Sequence, residues 1–233
     1  MTATVEPAQR EVDRKVRKFV FDFFLKETFA PSLEEISSET KISRSETAAS
    51  LQRLDAAHHL KMLDGTDRIL MAFPLSAIAT PHRVARRNGQ RYFANCAWDA
   101  IAFHPMLGEP VEITSFCRHC AAPIRFRMES GRGVPSGDHL PLVYLAWPAA
   151  TWWNDIVSTC SNSMVFFDSA SHFADWKARP ESKAGALLTV EQVMGLSLPL
   201  YAKKLDLDYE RPSKEVLQAT FARLGLTGKF WDL

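Results

Sequence analysis

Apolar side chains at Val12, Val16, Phe19, Val20, Phe23 and Phe24 recur three and four positions apart, the period of a helix with one buried face. This spacing predicts a helix over residues 11–29, closed by Pro31. Ser32 with Glu35 and Ser43 with Glu46 each have the spacing of a capping box, in which hydroxyl and carboxylate satisfy the free amides of a helix start, so two short helices should follow. The stretch LKMLDGTDRILMAF then changes to a period of two around Asp64-Gly65, a dipeptide suited to the positive φ angles of a tight hairpin turn. Three helices and a hairpin make a winged-helix-like unit, which we assign to residues 1–80.

Past Pro74, the segment ATPHRVARRNGQRYF carries a second turn signal at Asn88-Gly89 and reads as a hairpin leading into the remainder, residues 81–233. From Tyr92 the strand-like runs VEITSF, APIRFRM, HLPLVYLAW and SMVFF alternate with helical segments at 99–104, 150–158 and 170–178. Two more helices are expected, one capped by Thr189 with Gln192 and one over 213–224 built on Val216, Leu217, Phe221 and Leu224. The expected fold class is α+β. No internal repeat or low-complexity tract interrupts it.

Composition narrows the partners. With 233 residues, 46% of them apolar, the chain can bury one sizeable core or two small ones. Lysine and arginine number 28 against 27 aspartates and glutamates, so no bulk field gathers nucleic acid or anionic lipid. The third helix offers Arg44 and Arg53 to DNA but interleaves Glu46 and Asp55, and its Thr47, Ala48 and Ala49 have little capacity to read bases; DNA is not an expected partner. The N-terminus, MTATVEPAQREVDRKVRKF, is charged where a signal peptide would be apolar, and no later stretch is apolar enough to span a bilayer, so a cytoplasmic location without a membrane partner is expected. In a reducing compartment Cys96, Cys117, Cys120 and Cys160 are thiols or metal ligands, not disulfides.

Within Asn95-Cys96-Ala97-Trp98-Asp99 a thiol and a carboxylate stand three positions apart where an extended segment hands over to a helix. A cysteine at a helix start has its thiolate favoured by free amides and by the helix dipole, and Asp99 could accept or donate a proton beside it. The bland reading stays open: such an Asp commonly compensates the dipole, and such a Cys commonly fills the core. Cys117-Arg118-His119-Cys120 supplies two thiolates suited to Zn²⁺, with His119, Cys96 or Cys160 as sources of further ligands; if all four cysteines held zinc, the site would be closed to substrate. A redox role for this CxxC is disfavoured by its position at a strand end, where no helix lowers the first thiol. His58, His59, His82, His139 and His172 lack ligand-spaced neighbours, leaving His104 and His119 near the motifs. Trp98, Trp152, Trp153 and Trp176 flank the cysteines and would suit an apolar organic group, though core packing explains them equally well. No phosphate-binding glycine loop, HExxH or GxSxG motif occurs.

The block YFANCAWDAIAFHPMLG, followed by VEITSFC and Ala122-Pro123, resembles the core of the organomercurial (alkylmercury) lyases, and Cys160 followed by Val165-Phe166-Phe167, Ser169 and Trp176 resembles the same family's second thiol region. The stretch CSNSMV is about one residue longer than the family pattern, and Cys120 departs from it. The resemblance implies an N-terminal winged-helix-like segment before an α+β alkylmercury-lyase-like core. It also implies protonolysis of R-Hg⁺ to R-H and Hg²⁺, with Cys96, Asp99 and Cys160 as catalytic and mercury-binding residues. No cofactor is required, Hg²⁺ is the bound product, and small thiols and a mercuric reductase are the implied recipients. The alternative is a thiol-based metal-binding or metal-responsive regulatory protein on the same fold, with Cys117 and Cys120 in a structural zinc site. Sequence leaves open whether mercury or another organometal is the substrate.

Overall fold

A computed structural model describes residues 7–129, 135–136, 139–179 and 185–233; the first six positions of the charged N-terminus lie outside them. Three helices open the chain, α1 (Pro7–Glu27), α2 (Leu33–Thr40) and α3 (Arg44–Ala56). α1 buries Val16, Val20, Phe21 and Phe24, the stripe that its spacing predicts, and with them Arg17. That guanidinium is spent on backbone: it donates to the carbonyls of Lys204 (2.6 Å), Leu207 (3.2 Å) and Asp206, fastening α1 to a C-terminal segment that lines the site described below.

Ser32 and Glu35 form both halves of the expected capping box. At Ser43 only one half forms, because its hydroxyl accepts from the Glu46 amide while the Glu46 carboxylate is drawn 2.7 Å from Arg53. Arg53 also pairs with Asp13 at 2.8 Å, and Arg44 pairs with Glu34 and Asp67. Both arginines that the third helix could have offered to phosphate are thus matched within the chain.

A hairpin of β1 (Lys61–Met62) and β2 (Ile69–Ala72) turns around Asp64-Gly65, with Gly65 at φ 73°. It is the end of a larger sheet. β3 (Leu75–Ser76), β4 (Arg83–Arg86), β5 (Arg91–Ala94), β6 (Val111–Phe116), β7 (Pro123–Met128) and β8 (Pro135–Ser136) complete eight antiparallel strands in the order β1-β2-β3-β5-β4-β6-β7-β8. The β4–β5 turn is the expected Asn88-Gly89 hairpin, with Gly89 at φ 90°. A second sheet contains β9 (Leu142–Leu145) between β10 (Met164–Phe167) and β11 (Ala186–Thr189). The mixed helix and sheet architecture is the α+β class expected.

Between the sheets runs α4 (Ala97–Leu107), every residue of which from Ala97 to Met106 is buried. It packs on α7 (Val190–Tyr201) and touches β4, β5 and β6 on one side and β10 on the other. A helix apolar on all faces has no period to read, which is why the sequence signal there was a motif and not a stripe. Emptying its centre with Ile101→Ala should cost about 2–5 kcal/mol. The helical expectation over 150–158 is corrected: a single 3-10 turn at Ala149–Thr151 precedes α5 (Ile156–Ser163), whose start is fixed later by the Asp155 carboxylate accepting from the Ser158 amide. α6 (Ala170–Lys177) and α8 (Lys214–Arg223) form where expected, capped by Ser169 and Ser213, and the Thr189–Gln192 capping box is complete.

Candidate active site

The handover from β5 to α4 puts Cys96 at the N-cap in extended backbone (φ −153°, ψ −177°), where its Sγ accepts from the Asp99 amide at 3.4 Å. One helical turn on, Asp99 returns its carboxylate to the same sulfur, and the Cys96 thiol donates to Oδ2 at 3.4 Å. Cys160, carried by α5, reaches that same Oδ2 at 4.0 Å. The other carboxylate oxygen, Oδ1, accepts from the Tyr201 hydroxyl at 2.8 Å, and the Met164 thioether lies 3.8 Å from Cys96 Sγ. Three side chains singled out in the sequence, Cys96, Asp99 and Cys160, therefore meet, each buried, with their ligand atoms within 4.8 Å of one another.

Burial sets the electrostatics. Desolvation pushes the Cys96 thiol well above its usual pKa, helped by Cys160 and by the Asp99 charge, and the single Asp99 amide does not reverse it. This corrects the expectation of a favoured thiolate: the helix-start amide is present, but the surrounding apolar side chains outweigh it. For Cys160 the contact with Cys96 works downward, while burial and Asp99 outweigh it and leave the thiol raised. Asp99 itself is raised to about 6 by burial, against the opposing hydrogen bonds of Tyr201, Cys96 and Asn95 and the nearby Lys204. Near neutral pH the resting site thus holds two thiols and a carboxylate poised close to its own titration.

These groups line a cavity of about 90 Å³, enough for a small organic group, walled by Trp98, Trp152, Trp153, Phe73 and Phe221. Trp176, expected among the flanking aromatics, packs instead on Tyr144, Phe167 and Phe173. Lys204 also lines the cavity, buried among the rings of Phe21, Tyr201 and Tyr209, where desolvation pulls its pKa well down. Tyr201, Lys204 and Met164 were not found by sequence reasoning. They sit in runs with no motif spacing, and only the fold brings Tyr201 back to a carboxylate 102 positions away.

The other two cysteines form a separate group. Cys117 and Cys120 face His172 of α6, so no single site of four cysteines exists among the described residues. His172, read from sequence as lacking a ligand-spaced neighbour, is the third member; His119 stacks on its ring at 5.4 Å. Although burial pushes the Cys117 thiol up, amides of Asp168, Cys120 and His119 and the His172 ring more than compensate, and it ends below its usual value. The strand-end position expected to leave this thiol unactivated is corrected by a turn that aims backbone N–H groups at the sulfur. The remaining buried histidines are satisfied elsewhere: His82 on Ser115 at 2.9 Å and His104 on the Glu109 carbonyl at 2.7 Å.

Comparison with known proteins adds three findings. Residues 75–202 match the family model described as MerB: Alkylmercury lyase. The alkylmercury lyase of Staphylococcus epidermidis is 29% identical over 172 residues, 73% of this chain and 74% of that one, and the alkylmercury lyase of Bacillus cereus is 26% identical over 165 residues, 71% of each. The crystal structure of the mercury-bound form of MerB2 superposes with a TM-score of 0.58 at 16% identity, covering 85% of this chain and 97% of the other, which is a likeness of fold. No helix among the described residues is long and apolar enough to cross a membrane.

Proposed function

Because the chain belongs to the alkylmercury lyase family, we propose that it cleaves carbon–mercury bonds by protonolysis in the Cys96–Asp99–Cys160 cavity. The observation that carries this reading is the position of Asp99 Oδ2, 3.4 Å from one buried sulfur and 4.0 Å from the other. A single carboxylate oxygen is then within reach of both thiol protons.

The steps follow from the protonation states. An organomercurial cation R-Hg⁺ enters the apolar cavity and its mercury, a soft ion, is taken by Cys96 sulfur; the thiol proton that it displaces passes to Asp99. Cys160 becomes the second sulfur ligand, and the electron density that two thiolates place on mercury weakens its bond to carbon. Asp99, raised to about 6 and therefore a competent acid as well as a base, delivers its proton to the carbon. Overall, R-Hg⁺ and two S–H groups give R-H, a bis-thiolate Hg²⁺ and one released proton, which balances atoms and charge. Tyr201 holds Oδ1, which leaves Oδ2 facing the sulfurs. Small thiols then take Hg²⁺ from the pair by exchange, with a mercuric reductase as a further recipient.

The test is product release. Purified protein with phenylmercury and excess small thiol should yield benzene by gas chromatography, and Cys96→Ser and Cys160→Ser should not. Wild-type benzene at the background rate would overturn the reading.

A further inference from the structure

Beyond β6 the chain turns at Ala121, whose φ of 60° is rare for a residue with a Cβ, and this brings Cys117 and Cys120 to face one nitrogen of His172. Cys117 Sγ lies 3.7 Å and Cys120 Sγ 3.6 Å from His172 Nδ1, and the three atoms are all within 4.8 Å of one another. A tetrahedral zinc with Zn–S of about 2.3 Å and Zn–N of about 2.05 Å has an S···N edge of about 3.6 Å. Both edges therefore already stand at the spacing that one bound ion would impose.

We propose that Cys117, Cys120 and His172 form a second metal site, separate from the cavity thiols, which binds Zn²⁺. Two thiolates and an imidazole are donors that this ion prefers. Binding of one cation to both sulfurs as thiolates releases their two protons to solvent. Cys120 is exposed and His172 half-buried, so the ion has an entry path. The fourth position faces Asp168, whose carboxylate is 3.8 Å from the same Nδ1, and is filled by that oxygen or by water. Asp168 also donates its amide to Cys117 Sγ at 3.4 Å, a supporting hydrogen bond of the kind that orients metal ligands.

The site has a structural use. α6 has no fully buried residue, so little apolar burial holds it; a metal bound by His172 in its first turn and by the loop after β6 would clip it to the large sheet. It is also distinct from the cavity. β10 begins at Met164, beside Cys96, and ends at Phe167, next to Asp168 and Cys117; four residues of strand span about 13 Å at roughly 3.3 Å each.

Reduced, metal-stripped, full-length protein dialysed against Zn²⁺ alone should retain one zinc per chain by elemental analysis. The double variant Cys96→Ser/Cys160→Ser should retain it too. Cys120→Ser and His172→Ala should bind more than about 100-fold more weakly, beyond the effect of removing a group that only supports a ligand. His172→Cys, which restores a donor, should recover binding, and Co²⁺ should show a thiolate charge-transfer band in the wild type that Cys120→Ser lacks. Zinc that is absent from the wild type at micromolar free ion, that survives Cys120→Ser, or that follows Cys96 and Cys160 instead would overturn the proposal.

Discussion

The cavity and the loop after β6 each pair two cysteines with one further ligating side chain, and their surroundings send the thiols in opposite directions. Around Cys96 and Cys160 apolar burial dominates, one amide faces the first sulfur, and both thiols are raised. Around Cys117 several backbone N–H groups converge, and its thiol is lowered despite burial. Sulfur chemistry here is set less by the neighbouring residue types than by how many amides point at the sulfur and how much water has been removed. The buried pair keeps its protons until a cation displaces them, and it keeps Asp99 within 4.0 Å to receive them. The outer pair has an imidazole in that place, a group that ligates metal.

The largest effect that can test this contrast is a pair of serine substitutions. Cys96→Ser should reduce benzene release to background, whereas Cys120→Ser, which belongs to the separate cluster with Cys117 and His172 and does not line the cavity, should leave it within about twofold. Equal losses would mean that the two clusters act as one. Next comes Asp99→Asn, which keeps a side chain of the same shape but cannot move a proton; it should slow carbon protonation by roughly 10²–10⁴-fold while mercury is still captured. Single-turnover measurements that separate capture from benzene release would check this, and loss of capture would move Asp99 from proton transfer to holding the metal.

Much of the architecture was legible. The period of α1, the Ser32 and Thr189 caps, the last helix and the two hairpin turns at Gly65 and Gly89 all lie where local pattern put them, because each depends on neighbours within a few positions. Local reading failed where a distant partner intervened: Glu46 abandons its capping box for Arg53, and Asp155 delays α5. In the cavity, Cys96 and Asp99 were visible as a motif, and Cys160 was visible through family resemblance. Tyr201 and Lys204 were not, since α7 and the turn after it reach the site only by packing against α4. Nor was His172 legible, because nothing in its own segment marks it as a ligand until α6 docks beside the CxxC. The raised thiol at Cys96 is hidden from sequence for a related reason: sequence shows a helix start, but desolvation is a property of the assembled core.

A smaller effect separates proton handling from mere geometry. The Tyr201 hydroxyl donates to Asp99 at 2.8 Å and so favours the ionised carboxylate. A hydrogen bond to a charged group is worth about 1.5–3 kcal/mol, or about one to two pKa units. Tyr201→Phe should therefore lift Asp99 above about 6. If the carboxylate must accept the Cys96 proton, the acid limb of the rate profile moves up by the same amount: activity falls by about 3-fold to 25-fold near pH 6.5 and recovers toward pH 8. A fall that is uniform across pH would show that Tyr201 only positions the aspartate.

The smallest effect has the opposite sign to the catalytic ones. Asp99 is raised from 3.8 to about 6, so the folded chain binds this proton more tightly than the unfolded chain. Its contribution to stability is fully present below pH 3.8 and is lost as pH rises through about 6. Above that pH, folding must bury a charge at a cost of about 1–3 kcal/mol. Asn carries no charge to desolvate, so Asp99→Asn should be more stable than the wild type at pH 7.5 by about that amount, several degrees in Tm for a chain of this size. The gap should narrow toward pH 4.5. Cys120→Ser, outside the buried cluster, should show no such pH-dependent gain. Thermal unfolding at the two pH values decides it: an Asp99→Asn protein no more stable than the wild type at pH 7.5 would mean that Tyr201, Asn95 and Lys204 already repay the burial of this charge.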